Sequence, residues 1–589
     1  MRSILLAGLL ASSAAAAESP PSAPAPLPPI TRALSGDRAS GMARQTRSEV
    51  LARHGMVATS QPLAAEAGLQ ILQAGGNAID AAIATAAVLN VVEPGSAGIG
   101  GDAFAIVWLA KEKKLVAMNA SGRAPAAATL AAFRARGLKA MPLHGILSAT
   151  VPGAVDGWDA LLRRGGTMGF DKLLAPAIRI AEEGFPMTER IRQDWTYGAK
   201  VVAGDPESVR VYLPGGRPPP IYGIFRNPDL AKTFRLLQTG GRDAFYKGPV
   251  ADAIVARSKE LGGFFAKADF AQSLVTWDEP IATSYRGYDV IEMPPSTQGF
   301  AALEMLNIAE VCAPKLGLDI AKAGPRSPDY WHFMVEAKKL AYADLERFNG
   351  DPAFSKVPVA RLISKDYAAS LCGRIDMQKA APAISSPEAI GGTVYIATAD
   401  AEGNMVSFIY SVYDTFGAGV TVPGYGFVLG DRGALFSLDP KSPNVIAPGK
   451  RPFHTLLPGF LMKDGRPVAA FGLMGGSQQA QGHAQVIVNM LDFGGNMQAA
   501  SDAARFSHLQ GKDILTMETA LAADVGPALT ARGHKVVPET GEEMGGYQAI
   551  RFIPEDGASL PAPVSPGGPV NGTYVGASDH RKDGLAIGW

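Results

Sequence analysis

Cysteine is nearly absent from this chain of 589 residues, which holds only Cys312 and Cys372. That scarcity excludes a small disulfide-rich scaffold and any zinc site built on paired cysteines. Two such distant cysteines in a chain able to bury a large core are expected to sit reduced and buried. Net charge is also missing, because 55 basic and 55 acidic residues cancel. No nucleic-acid partner and no anionic membrane surface is therefore implied. A convincing nucleotide loop is lacking too: Gly98-Ile99-Gly100-Gly101 follows an Ala-rich helical run, not a strand, and its spacing is wrong for a dinucleotide fingerprint. No cofactor and no metal is expected, and no internal repeat is found. What remains, 47% hydrophobic and 19% charged residues, is the composition of a soluble globular protein.

Met1 to Ala17 carries one positive charge at Arg2, an apolar run around Ile4 to Leu10, and small residues up to an Ala-x-Ala site before Glu18. This is the pattern of a secretory signal over 1–17, too short to span a membrane as a mature helix. No cysteine follows it, which argues against a lipid anchor. Residues 18–45 read as a tether, proline-dense from Pro20 to Pro29 and so extended. The expected location is periplasmic or secreted.

From Pro62 to Val91 apolar and alanine positions recur at helical spacing, broken at Gly75-Gly76-Asn77, where one helix ends and a buried Ala-rich helix begins near Asp80. Ala103 to Leu109 and Lys114 to Ala120 read as a hairpin. Helices follow at Phe170 to Glu183, Pro249 to Leu261, Gly299 to Val311 and Tyr330 to Phe348, with a further one at Ala484 to Leu491. Helices, then hairpins, then a helix suggest layers in which helices cover two stacked antiparallel sheets.

The chemistry centres on Gly391-Gly392-Thr393 and the hairpin that follows. Thr393 to Ala399 is rich in β-branched and aromatic residues; Asp400 to Asn404 is a polar turn in which Gly403 accommodates a positive φ; Met405 to Val412 is the returning strand. Thr393 thus opens a strand directly after two glycines. A threonine hydroxyl is a weak nucleophile unless a base adjoins it, and its own α-amine becomes that base once the bond after Gly392 is cut. An α-amine titrates near pH ~8 and so serves at neutral pH.

This stretch and its surroundings resemble the γ-glutamyltransferase (glutathione hydrolase) family of N-terminal-nucleophile hydrolases. The resemblance is carried by Ala74-Gly75-Gly76-Asn77-Ala78-Ile79-Asp80-Ala81-Ala82, Gly98-Ile99-Gly100-Gly101, Val151-Pro152-Gly153-Ala154, Gly449-Lys450-Arg451-Pro452, Gly475-Gly476-Ser477 and Gly576-Ala577-Ser578-Asp579. It implies an α+β fold, a four-layer αββα sandwich. It implies a precursor that cuts itself between Gly392 and Thr393 into a heavy chain of 46–392 and a light chain of 393–589, interwoven as a heterodimer. Thr393 matches the family's nucleophile, Ser411 its second threonine, and Gly475 with Gly476 the glycine pair whose N–H groups form the oxyanion hole.

The substrate-binding positions diverge. Ser121 stands where the family has its carboxylate-binding arginine, and Arg123, two residues on, lies on the same face of an extended backbone. Tyr413 replaces an asparagine, Arg432 a glutamine or glutamate, Leu435 the aspartate that holds the substrate amine, and His454-Thr455 a pair of serines. An ammonium buried without a carboxylate is costly, so either Asp431 or Asp414 compensates, or the substrate lacks that amine. Three functions follow from the resemblance. The first is a γ-glutamyltransferase or glutathione hydrolase that passes the acyl group to water or an amino acid. The second is an amidase of the same fold acting on another acyl group, as in cephalosporin acylases. The third is a secreted binding protein that has lost catalysis.

Overall fold

The structure is a computed structural model and describes residues 45–382, 392–539, 544–555 and 560–589. The signal expected over 1–17 and the tether up to residue 44 lie outside the described residues. Fourteen strands form two antiparallel sheets. Those from the first part of the chain are β1 (Val50–Ala52), β2 (Met56–Thr59), β3 (Asp102–Leu109), β4 (Lys114–Ala120), β5 (Thr276–Asp278), β6 (Ile281–Tyr285) and β7 (Tyr288–Glu292). Those from the second are β8 (Gly392–Ala399), β9 (Met405–Tyr413), β10 (Pro458–Lys463), β11 (Arg466–Leu473), β12 (Tyr547–Pro554), β13 (Gly572–Ser578) and β14 (Leu585–Gly588).

One sheet runs β1-β13-β12-β11-β10-β7-β6 and the other β14-β2-β8-β9-β3-β4-β5. Each mixes strands from before and after residue 393. The sheets stack face to face, and alternation along β8 shows why. Tyr395 and Ala397 point into the core between the sheets with Phe104, Phe460 and Phe471. Val394 and Ile396 point outward, under the helices.

The outer layers are helical. Helices α1 (Pro62–Gln73), α2 (Ala78–Val92) and α3 (Ala154–Gly165) lie on the side of the second sheet; α4 (Glu189–Val202) forms a wall of the cleft described below. Helices α5 (Gly299–Lys315), α6 (Pro328–Phe348) and α7 (Gln478–Leu491) lie on the side of the first. The αββα sandwich expected from the sequence is the observed architecture. Every residue of α2 is buried, which its alanines permit because they let neighbours approach on all sides. Asn77 caps it, accepting from the Ile79 and Asp80 N–H groups, and the Asp80 carboxylate accepts from Asn77 N–H at 2.9 Å. The Asp400 carboxylate, from the turn between β8 and β9, accepts from Ala78 N–H at 2.8 Å. The hairpin that starts at Thr393 is thereby pinned to the helix beneath it.

One expectation changes in detail. The helix read from Ala484 begins at Gln478, because its first two turns bury the polar side chains Gln478, Gln479, Gln481 and His483, which break an apolar periodicity. The glycines of Gly98 to Gly101 are packing residues. A Cβ on Gly101 would come within 2.0 Å of the Ser411 carbonyl oxygen, and one on Gly100 within 2.0 Å of that of Val428. Among the described residues no helix is long and apolar enough to cross a membrane.

One expectation is overturned. Cys312 and Cys372 are joined in a disulfide, with Cα atoms 5.1 Å apart. Both are buried as expected, but burial does not distinguish a thiol from a bridge. The sequence separation of 60 hides that the chain returns, after α6, to pack against α5. Closing a loop of that length stabilises a fold by about 4 kcal/mol on the chain-entropy model. A non-reduced proteolytic digest is expected to contain a cross-linked peptide pair that reduction separates. The Cys312→Ser/Cys372→Ser variant should melt several degrees lower; an unlinked digest would contradict the bridge.

Candidate active site

Thr393 occupies an irregularity in the β8–β9 ladder. Gly392 pairs with Tyr413 and Val394 with Tyr410, so Ser411 and Val412 together stand opposite Thr393 alone. Such a bulge bends the strand and re-aims its side chains, and Tyr413 beyond it takes a positive φ of 84°. The result is a cluster of oxygens. Thr393 Oγ1 lies 2.7 Å from the Gly392 carbonyl oxygen and 3.3 Å from Ser411 Oγ, and Ser411 Oγ donates to the same Gly392 oxygen at 2.7 Å.

Ser411 is held from behind. Its Oγ accepts from Tyr413 N–H at 2.7 Å and from Arg432 Nη2 at 3.2 Å. Arg432 also donates through Nη1 to Thr455 Oγ1 at 2.9 Å, and its guanidinium stacks 4.6 Å from the Tyr413 ring centre. Asp102 supplies the counter-charge: its Oδ2 is 3.6 Å from Arg432 Nε and 3.3 Å from His454 Nε2, while Oδ1 accepts from Gly122 N–H at 2.6 Å. Burial, reinforced by the adjacent Arg432 cation, pushes the His454 imidazole down to about 4, so it is neutral at physiological pH. Arg432 and His454 are fully buried and Thr455 nearly so.

On its other side Thr393, itself only 3% exposed, borders a cleft of about 190 Å³. The opposite wall is the turn from β11 into α7, where Gly475 (φ 124°) and Gly476 (φ 61°) adopt conformations that favour glycine. Among the described residues no group accepts a hydrogen bond from either N–H. Gly475 lines the cleft with Thr393; Ser477 and Gln478 at the start of α7 continue that wall. A further wall is one face of α4, presenting Arg190, Gln193, Asp194 and Tyr197, with Lys582 beside it. Arg190 Nη2 donates to Asp194 Oδ1 at 2.9 Å, and Lys582 Nζ is 4.0 Å from Asp194 Oδ2.

The positions singled out from sequence thus divide. Thr393 and Gly475 share the cleft, with Gly392 beside them. Ser411, Tyr413, Arg432, His454 and Thr455 are assembled behind Thr393, away from the cleft lining. Arg123 is not brought there; its Nη1 donates to the Gly449 carbonyl at 3.1 Å. Asp414 and Asp431 face His144. Its Nδ1 lies 3.0 Å from the Gly417 carbonyl oxygen and 3.5 Å from Asp431, and its Nε2 is 3.7 Å from Asp414. Burial and the neighbouring Asp431 push the Asp414 carboxyl up to about 6, and hydrogen bonding to Asp431 pushes His144 up. These three, and separately His332, Glu336 and His534, are the described side chains grouped closely enough to hold a metal ion. In the second group the imidazoles bond to each other at 2.8 Å and Lys339 Nζ lies 3.1 Å from Glu336. Asp102 and the α4 face were not anticipated. The one sequence signal for the latter is the spacing of 190, 193, 194 and 197, a polar stripe on a helix.

Residues 64–589 match the family described as Gamma-glutamyltranspeptidase. The chain is 36% identical to a glutathione hydrolase-like YwrD proenzyme of Bacillus subtilis, over 90% of this chain and 98% of that protein. It is 37% identical to an Acylase ACY 1 proenzyme of Pseudomonas sp. (strain SE83), over 90% and 93%. Its structure superposes on that of a cephalosporin acylase from Bacillus halodurans with a TM-score of 0.84 and 40% identity, covering 95% of this chain and 99% of the other.

The loop from Glu93 to Ala97 packs against Gly392, and a Cβ there would meet Gly95 and Ser96 at 3.1 Å. Glu93 ends α2 fully buried, and burial lifts its carboxyl from 4.5 to about 7 against the opposing hydrogen bond from Ser60 Oγ at 2.6 Å. A folded-state pKa above the unfolded one means that the contribution of Glu93 to stability is complete below pH 4.5 and is lost as pH rises through 7. Glu93→Gln, which mimics the protonated acid, is therefore expected to be more stable than the parent by about 3 kcal/mol at pH 8 and equal to it near pH 4. Denaturant melts across that pH range check this; a constant difference would contradict it.

Proposed function

The chain belongs to the gamma-glutamyltranspeptidase family, and from that premise we propose that it is a self-processing amide hydrolase acting on γ-glutamyl amides of the glutathione type. Cleavage after Gly392 yields a heavy chain of 46–392 and a light chain of 393–589. The halves stay together because strands from both alternate in each sheet. The new α-amine of Thr393 takes the hydroxyl proton, Oγ1 attacks the amide carbonyl, and the departing amine leaves with a proton. The Gly475 and Gly476 N–H groups receive the developing oxyanion; such a donor lowers a barrier by about 3–4 kcal/mol. Water then releases the acyl group from Thr393. An amino-acid acceptor is the transferase variant of the same step, and water is favoured because Leu435 stands where the resemblance implies the family's amine-holding aspartate. A periplasmic or secreted location is supported by the Cys312–Cys372 bridge, a bond of oxidising compartments.

The observation that carries this reading is the Thr393 hydroxyl, beside the carbonyl of the bond to be cut, beside Ser411, and bordering the cleft that Gly475 closes. Arg190, Lys582 and Asp194 on the same cleft offer cations for a carboxylate and an anion for an amine. A second reading, an acylase for a dicarboxylic acyl group without an α-amine, is favoured by the likeness to the cephalosporin acylase and by Leu435. N-terminal sequencing of the purified protein should find a fragment beginning at Thr393, and Thr393→Ala should remain one uncut, inactive chain. Turnover by that variant would overturn the assignment. Among anilide substrates, hydrolysis of the γ-glutamyl compound supports the first reading, and hydrolysis of the glutaryl compound alone supports the second.

A further inference from the structure

We propose that Arg432 is a positioning residue for self-cleavage: through Ser411 it fixes the hydroxyl proton that stabilises the Gly392 carbonyl oxygen while the peptide bond ahead of Thr393 opens. The inference rests on the self-processing reading above.

A serine hydroxyl has one proton and two lone pairs. Four groups surround Ser411 Oγ. Two of them, Tyr413 N–H and Arg432 Nη2, can only donate, and they occupy the two lone pairs. The third, the Gly392 carbonyl oxygen at 2.7 Å, can only accept, so the single Ser411 proton points there. The fourth, Thr393 Oγ1, is the most distant at 3.3 Å. Without Arg432 one lone pair is free, and the hydroxyl can turn its proton from the Gly392 oxygen to Thr393 Oγ1, the other acceptor within reach. A cation bonded to the hydroxyl oxygen also makes its proton a stronger donor.

The guanidinium cannot drift from this role. Nη1 is held by Thr455, the flat face by the Tyr413 ring, and Asp102 lies beyond Nε. Arg432 is fully buried and does not line the cleft, so its reach toward the reacting bond runs through Ser411. In the step it supports, Thr393 Oγ1 bonds to the Gly392 carbonyl carbon, and the π electron pair moves onto the Gly392 oxygen, where the Ser411 O–H meets it. Collapse breaks the bond from Gly392 carbon to Thr393 nitrogen, and the nitrogen leaves with the electron pair and takes the proton that the Thr393 hydroxyl gave up. An ester between Gly392 and Thr393 Oγ1 remains. Water splits it into the Gly392 carboxylic acid and the free Thr393 hydroxyl.

The full chain made by cell-free synthesis and followed on denaturing gels tests this. Arg432→Gln is expected to slow disappearance of the precursor by about 10- to 100-fold, below or at the lower edge of the loss caused by removing a direct oxyanion donor. Arg432→Lys should recover part of the rate, and millimolar guanidinium should accelerate Arg432→Ala. Hydroxylamine, which cleaves esters, should not rescue these variants, because the block precedes the ester. Thr393→Ala is run alongside. If Thr393→Ala stays whole and Arg432→Gln cleaves at the parent rate, the role of Arg432 is overturned alone. If Thr393→Ala is cut, the self-processing reading beneath it fails. Slow variants that neither lysine nor guanidinium improves would mark a general loss of fold, and rescue by hydroxylamine would move Arg432 to ester hydrolysis; either overturns the proposal.

Discussion

The site depends on one hydrogen bond, from the Ser411 hydroxyl to the carbonyl oxygen of Gly392. It exists because β9 carries one residue more than β8 at this point, which sets Ser411 against the bond ahead of Thr393 instead of one register step away. Every neighbouring feature protects that register. Gly101 lets the chain pass against the Ser411 backbone, Gly95 and Ser96 close over Gly392, and Asp400 ties the far end of the hairpin to α2. A hairpin fastened at both ends cannot slip, so the placement of two hydroxyls is set by the whole second sheet.

The interleaving of strands has a consequence for a chain that is to be cut. In the second sheet β8 and β9 lie between β2 and β3, and β14 from the far end of the chain pairs with β2. Separating the two halves would break ladders in both sheets and expose the core between them, so it amounts to unfolding the chain. A bond at the start of β8 can therefore open with little change in the surroundings. The free end it creates stays within the framework that held the bond.

Much of this was legible in the chain. The alternation of Thr393 to Ala399, the polar turn at Gly403 and the all-round apolar α2 are local patterns, and local patterns survive translation into sequence. The αββα layering followed from them together with the family resemblance. The bulge did not, because one extra residue in a strand leaves no mark when both faces are buried. The disulfide was misjudged because pairing depends on how α5 and the segment after α6 meet. The cleft wall on α4 lay about two hundred residues from Thr393, and Asp102 sat inside a run whose glycines drew attention to themselves. Arg432, His454 and Thr455 were recognisable as positions but not as neighbours of Ser411, since their mutual contacts exist only in the folded core.

Burying a guanidinium is expensive, and replacing a buried ion pair with apolar residues of similar size is often neutral or stabilising. Arg432 is not even fully matched: Nε has no hydrogen-bond partner among the described residues, and Asp102, its counter-charge, is shared with a neutral His454. A core chosen for stability alone would favour an apolar side chain here. Besides Asp102, its contacts lead to the junction: Thr455 and the Tyr413 ring fix its plane, and Ser411 accepts from Nη2. A charge held at such cost, aimed at a hydroxyl that touches the bond to be cut, is more readily explained by what it does to that hydroxyl than by what it adds to the fold.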